Sequence, residues 1–261
     1  MKRIAKPSIG SYETWLKQIL KAANVSRSLN LCYMEHPESF SALDPLVDFP
    51  DAQILLNHAA RGEPFLIAST HQGPHLAAWW LAKFLPNLRI LSNQTAVRTD
   101  SPISGAPLVI DGSSSGGREL LSLLKKGTAI AGSIDQPIVA DKKFESDRFT
   151  LELSLFDLPP IRVSTLIPRL AWKHRVPSYW MATRLDAGKI RFDLARMPDA
   201  TEETGWAEWA QIWMSQYKAH LEQYLQQGPE NLNLPNALFE AIAGSIHRHG
   251  GGAALADGKT L

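Results

Sequence analysis

Short apolar runs alternate with helix-like patterns through the middle of the chain. Residues 65–68 and 88–91 are typical of buried strands, and residues 74–85 between them carry apolar positions at helical spacing. A second strand–helix–strand unit follows over residues 108–134, with its helix ended by Gly127. This alternation predicts an α/β fold in which one mostly parallel, open sheet is flanked by helices.

The remaining segments extend this pattern toward both ends. Residues 1–249 are expected to form a single domain whose first 50 residues are helical, and no internal repeat or linker interrupts it. Residues 250–261, rich in glycine and small residues, are expected to be a disordered tail. Further expectations are a charged surface loop at 138–148, helices at 164–174 and 206–226, and strands at 177–183 and 190–194.

Composition narrows the classes of partner. The 261 residues carry 27 Lys+Arg against 26 Asp+Glu, a formal charge of +1, so no basic field favours nucleic acid. With 44% hydrophobic residues the chain can bury a sizeable core. The single Cys32 cannot form an internal disulfide and is interpreted as a small buried hydrophobe. No Cys/His spacing resembles a zinc site, so no metal is predicted, and a reducing cytoplasm is the expected location.

Neither export nor membrane insertion is indicated. The basic N-terminus lacks the apolar core of a signal peptide, and the longest apolar stretch, residues 76–82, is far shorter than the roughly 20 residues that cross a bilayer. Trp15, Leu16, Ile19 and Leu20 form an apolar stripe on a helix-like segment. A helix packed on the domain is the favoured interpretation, and peripheral contact with the inner face of the membrane is the alternative.

The most informative segment is residues 67–76, in which a histidine lies in the turn between a buried strand and a predicted helix. His71 follows the apolar run, and Pro74 is suited to a first helical turn. Backbone amides over residues 72–75 would then face a developing oxyanion. Because ligands of open α/β sheets bind at the carboxyl ends of strands, and imidazole titrates near neutral pH, His71 is a candidate general base.

Several further motifs follow in a fixed order. Thr-His-Gln-Gly at residues 70–73 precedes Leu-Lys-Lys-Gly at 124–127 and Asp-Gln at 135–136, and Leu-Phe-Asp-Leu-Pro at 155–159 comes next. A helix, Arg-Val-Pro-Ser at 175–178 and a late Pro-Glu-Asn at 229–231 complete the series. Over roughly residues 50–232 this order resembles the lysophospholipid acyltransferase superfamily, in particular the late acyltransferases of lipid A biosynthesis.

The resemblance implies a reaction and also contains a departure. In that superfamily a His-x4-acid motif supplies a base that activates a hydroxyl or amine, which then attacks an acyl thioester. Here the acid position is Leu76, which cannot orient an imidazole. Three interpretations stay open. Asp135 orients His71 from another strand end, or His71 acts unassisted on a more reactive acceptor, and His75 could help in either case. In the third, the protein only binds an acyl chain or a carrier-bound intermediate.

The acyltransferase interpretation assigns roles to a defined set of residues. The donor would be an acyl-coenzyme A or acyl-carrier-protein thioester with no permanently bound cofactor. The acceptor would be a small amphiphile, such as a secondary metabolite or a lipid-like molecule. The acyl carrier protein would then be a partner. His71 and Asp135 are the predicted catalytic pair. The predicted oxyanion and substrate-binding residues are Gln72, Gly73, His75, Gln136, Arg98 and Arg118, with Arg169 as a further anion contact.

Aromatic residues recur at helical spacing near the end of the chain. Trp206, Trp209, Trp213 and Tyr217 fall on one face of a long helix, and core packing is the favoured interpretation. An acyl-chain pocket lined by Trp79, Trp80, Trp209 and Trp213 is the second.

A hydrolase is the leading alternative function. Residues 112–116 fit Gly-x-Ser-x-Gly between a strand and a helix, so Ser114 is a candidate nucleophile of an esterase or thioesterase. Residues 71–73 would then form an oxyanion loop. The later histidines fit a triad poorly, and a capping turn before the helix explains the serine run as well.

Overall fold

The computed structural model describes residues 12–35, 37–70, 73–74, 80–92, 109–111, 116–135, 150–155 and 160–231. Five α-helices are described in this part of the chain: α1 Tyr12–Glu35, α2 Ala52–Ala60, α3 Gly116–Lys125, α4 Leu166–His174 and α5 Trp206–Gln227. The 3-10 segments include Pro37–Leu46 and Pro229–Asn231. The strands are β1 Val47–Asp48, β2 Leu66–Ser69, β3 Leu88–Ser92, β4 Val109–Asp111, β5 Ala129–Ser133, β6 Thr150–Leu153, β7 Ile161–Ser164, β8 Ser178–Asp186 and β9 Lys189–Arg196.

Seven of these strands form one mostly parallel sheet. Its order is β1-β9-β8-β2-β5-β3-β4, and every neighbouring pair is parallel except the β8–β9 hairpin. The expected class, a mostly parallel sheet flanked by helices, is therefore confirmed. Strand β2 lies near the centre with β8 on one side and β5 on the other, so its carboxyl end is enclosed by two parallel neighbours.

The sheet separates two apolar layers. Successive side chains of a strand point to opposite faces, and along β2 Leu66 and Ala68 join one cluster while Ile67 joins the other. The first layer contains buried residues of α1, α3, α4 and α5, and we call it the α5 face. The second contains residues of α2 and of the segment 80–88, and we call it the α2 face.

Several elements agree with the sequence pattern. Helix α3 ends before Gly127, whose φ of +76° terminates the helix, and β5 follows directly. The β8–β9 hairpin turns at Ala187 and Gly188, both with positive φ, as the turn signal at 186–189 predicted.

One expectation was wrong at its boundary, and a second is described only in part. Residues 161–164, of which the last was assigned to a helix, form β7, which pairs antiparallel with β6 as a separate two-stranded sheet. The four-residue strands alternate too briefly to stand out from the neighbouring helix pattern. In the segment predicted as a helix over 74–85, the described residues 80–83 form a 3-10 turn. The expected loop at 138–148 and tail at 250–261 lie outside the described residues.

Candidate active site

Two neighbouring strand ends define the candidate site. Strands β2 and β5 pair in parallel register from Leu66–Ile130 to Ser69–Ser133, and the ladder continues because Ile134 N–H donates to the Ser69 carbonyl at 2.9 Å. The chain therefore leaves both strands at the same edge of the sheet. This is the edge where open parallel sheets bind ligands.

Asp135 lies at this edge and is 1% exposed. A carboxyl group withdrawn from water at a strand end is costly to bury and is typical of functional sites. The structure thus places the predicted partner of His71 two residues beyond β5, beside the end of β2.

Most of the other predicted site residues fall outside the described part of the chain. Their relation to Asp135 remains a prediction. For Arg118 the helix backbone is described and the side chain is not. The residues outside are His71, Gln72, His75, Leu76, Trp79, Arg98, Ser114 and Gln136.

Gly73 has a packing role rather than the predicted oxyanion role. Its N–H donates to the Asn231 carbonyl at 2.6 Å, so this amide is already committed, and Pro74 has no N–H to offer. Its φ is +54°, and a Cβ built there would overlap the Thr183 carbonyl oxygen and lie 2.9 Å from the carbonyl carbon. Only glycine permits this approach of the turn to β8.

Asn231 holds the turn from the other side, and sequence reasoning missed this role. The side chain is 2% exposed, and its Oδ1 accepts a hydrogen bond from Leu185 N–H at 2.9 Å. Together with the Gly73 contact, this ties the Pro229–Asn231 segment to the turn after β2 and to β8. The late Pro-Glu-Asn motif therefore supports the candidate site.

Two buried hydroxyls belong to the surroundings of Asp135. Thr70, the residue after β2, is 3% exposed, and Tyr217 of α5 is fully buried. Burial, reinforced by the negative charge of Asp135, raises the pKa of Tyr217 well above its usual value, and the Thr70 hydroxyl opposes this shift. The sequence pattern assigned Tyr217 to the core and gave no signal for its polar end.

Of the four residues predicted to line an acyl-chain pocket, the three that the structure describes do not share one pocket. Trp80 packs in the α2 face, where its Nε1 donates to Asp44 Oδ1 at 2.9 Å, whereas Trp209 and Trp213 pack in the α5 face. Trp213 Nε1 donates to Ser178 Oγ at 3.1 Å. Because the sheet lies between the two groups, the predicted shared pocket is wrong, and core packing, the favoured interpretation of the helix face, describes Trp209 and Trp213.

The Arg169 side chain packs in the interface between α4 and α5. Its guanidinium lies 4.5 Å from the ring centre of Trp206, and its Nε donates to Thr165 Oγ1 at 3.2 Å. These contacts stabilise helix packing and leave Arg169 poorly suited to an anionic substrate.

The topology weighs against the hydrolase interpretation. Strand β4, which precedes the serine run, is the last strand of the sheet and lies three positions from β2. At about 4.8 Å per strand, the two strand ends are about 14 Å apart. The strand before the serine run and the strand before residues 71–73 are therefore not neighbours in the sheet, whereas a nucleophile elbow and its oxyanion loop have to meet at one carbonyl group.

A pocket of about 290 Å³ opens at the opposite edge of the sheet. Its lining includes Phe65 and Ala129, which stand at the amino ends of β2 and β5, and Phe84. Because His71 and Asp135 follow the carboxyl ends of these strands, this pocket is separate from the candidate site.

Neither a grouping that could hold a metal ion nor a membrane-spanning helix occurs among the described residues. Among them, no three His, Cys, Asp or Glu side chains are grouped so as to hold a metal ion. Within the same part of the chain, no helix combines the length and apolarity needed to cross a bilayer. Of the N-terminal apolar stripe, Ile19 is fully buried in the α5 face and Leu20 is 46% exposed.

The fold and site together define an α/β protein with a buried carboxyl group at the carboxyl edge of a mostly parallel sheet. No protein-family model matches the chain, and no curated protein is significantly similar to it.

Proposed function

We propose that the protein is an acyltransferase that moves an acyl group from a thioester to a hydroxyl or amine acceptor, with His71 as general base and Asp135 as its acidic partner. The observation that carries this proposal is the adjacency of the β2 and β5 ends, with Asp135 buried beside the strand that leads to His71. An acid supplied from β5 would replace the one missing at Leu76.

The meeting of distant motifs also supports the proposal. Gly73 belongs to the His-containing turn and Asn231 to the late Pro-Glu-Asn motif, and the two are joined by a backbone hydrogen bond. Segments separated by more than 150 residues therefore contact each other at one edge of the sheet. This is expected if the order of motifs that resembles the lysophospholipid acyltransferases reflects a shared site.

One base is enough for the proposed reaction, because the proton that it takes from the acceptor is returned to the leaving group. The His71 imidazole takes the acceptor's proton as its oxygen or nitrogen attacks the thioester carbonyl carbon. The C–S bond then breaks, and the imidazolium returns the proton to the leaving thiolate, which departs as a thiol. The Asp135 carboxylate would orient the imidazole and stabilise its charged form between these steps.

The donor is proposed to be an acyl-coenzyme A or acyl-carrier-protein thioester, and the acceptor a small amphiphile. These donors belong to the cytoplasm, which is the proposed location, with peripheral contact at the inner face of the membrane as an extension of it. The burial of Ile19 favours a packed α1 over a membrane-bound one.

The test is whether thioester is consumed only when an acceptor is present. A panel of acyl thioesters is incubated with amine and alcohol acceptors, and the reaction is monitored by thiol release and by intact-protein mass spectrometry. We expect His71→Ala to lower transfer by about a hundredfold or more. Ser114→Ala is the matched control and should retain transfer. An acyl-enzyme formed on Ser114 would favour the hydrolase, and a thioester that binds without being consumed would mean that the fold serves binding alone.

A further inference from the structure

Two neighbouring buried hydroxyls at the candidate site, those of Thr70 and Tyr217, are poorly satisfied by the residues that the structure describes. Neither the Thr70 Oγ1 nor the Tyr217 hydroxyl forms a hydrogen bond of standard geometry within the part of the chain that the structure describes. Both side chains are at least nine-tenths buried. A buried hydroxyl that lacks a partner bears an unrelieved desolvation penalty, so each such group calls for an explanation.

Packing does not explain the Tyr217 hydroxyl. The ring stacks on Trp213 with centroids 5.3 Å apart and planes at 16°, a contact that a phenylalanine would make equally well. Tyr224, two turns further along α5, shows the usual arrangement, because its buried hydroxyl donates to the Thr183 carbonyl at 2.7 Å. The two tyrosines therefore differ in whether the hydroxyl group forms a hydrogen bond of standard geometry with a described residue.

The surroundings of Tyr217 indicate which group its hydroxyl can donate a hydrogen bond to. Asp135 is the charged residue whose field acts on the phenol, and Thr70 is its hydroxyl neighbour. Because burial raises the pKa of Tyr217 well above its usual value, the phenol keeps its proton throughout the physiological range and remains a hydrogen-bond donor. A carboxylate accepts a hydrogen bond from such a donor more strongly than a neutral carboxyl group does.

We propose that Tyr217 is a positioning residue whose phenol, together with the Thr70 hydroxyl, turns toward the Asp135 carboxylate and holds it for His71. The inference rests on the proposed function, in which the Asp135 charge stabilises the imidazolium. It adds two uncharged donors, one directly after β2 and one on α5, that hold this carboxyl group in place. No proton leaves the phenol in this role.

The activity test compares two tyrosines on one helix. Tyr217→Phe should lower kcat/KM about tenfold and move the acid limb of the pH–rate profile upward by about one pH unit, the shift that a lost charge-assisted hydrogen bond produces. Thr70→Val should move the acid limb in the same direction. Tyr224→Phe removes an equally buried hydroxyl and should leave the pH profile unchanged. An unchanged profile in Tyr217→Phe would overturn the proposal.

A second readout is independent of activity. In the full-length protein labelled with ¹³C at the tyrosine Cζ, the Tyr217 signal should shift as the pH crosses the carboxyl range of about 3 to 6. This shift should vanish in Asp135→Asn, while the Tyr224 signal should be the same in both proteins. A Tyr217 signal that titrates identically in Asp135→Asn would refute the contact even if transfer is observed. If transfer is absent but the Asp135-dependent shift is present, the proposed function fails and the hydroxyl–carboxylate cluster stands.

Discussion

Substitution of Gly73 by alanine tests how closely the turn after β2 approaches β8. At a φ of +54° an alanine costs about 1 kcal/mol in backbone conformation alone. Its Cβ would also overlap the Thr183 carbonyl oxygen and lie 2.9 Å from the carbonyl carbon, both of them backbone atoms that cannot rotate away. Overpacking of this kind costs about 2 kcal/mol, so we expect Gly73→Ala to lower the free energy of unfolding by about 3 kcal/mol.

Gly188 provides the matched control for this prediction. Its φ is +80°, and a Cβ there would meet nothing within 4 Å, so Gly188→Ala should lose about 1 kcal/mol from conformation alone. Equilibrium urea unfolding followed by tryptophan fluorescence measures both variants, and the slope against urea should stay unchanged. If Gly73→Ala is no less stable than Gly188→Ala, the close approach to Thr183 is refuted.

The remaining predictions concern the acid dependence of stability at the amino edge of the sheet. The Arg61 guanidinium, assisted by His58, lowers the pKa of Glu63 from 4.5 to about 2, so its stabilising effect is complete above pH 4.5 and is lost as the pH falls through about 2. Glu63→Gln should therefore remove this part of the pH dependence of the thermal midpoint, and Arg61→Gln should move the loss toward pH 4.5. Identical acid profiles for Glu63→Gln and the wild type would contradict this assignment.

The sequence predicted the layers of the fold because its central strands are fully buried. Strands β2 and β5 appear as apolar runs, and the β8–β9 hairpin is marked by a turn whose residues take positive φ. The β6–β7 pair was missed because each strand has four residues, too few to establish a period of two beside a helical pattern.

The candidate site was predicted where it depends on strand ends and missed where it depends on long-range contacts. Asp135 follows a recognisable strand, and parallel pairing brings that strand beside β2. Tyr217 has helical spacing, which indicates the buried face but does not reveal that its hydroxyl lies near Asp135. The contact of Asn231 with Gly73 depends on the path of the chain after α5, which no local pattern encodes.

The most direct test of the account is the transfer rate of Asp135→Asn compared with the double variant Asp135→Asn/Leu76→Asp, each measured as acceptor-dependent thiol release from acyl thioester. If Asp135 replaces the missing acid, Asp135→Asn should lower kcat/KM by about a hundredfold. The double variant restores the His-x4-acid spacing, and its kcat/KM should be at least about tenfold higher than that of Asp135→Asn. Full transfer activity in Asp135→Asn would contradict the central claim that the carboxylate just beyond β5 serves the histidine that follows β2.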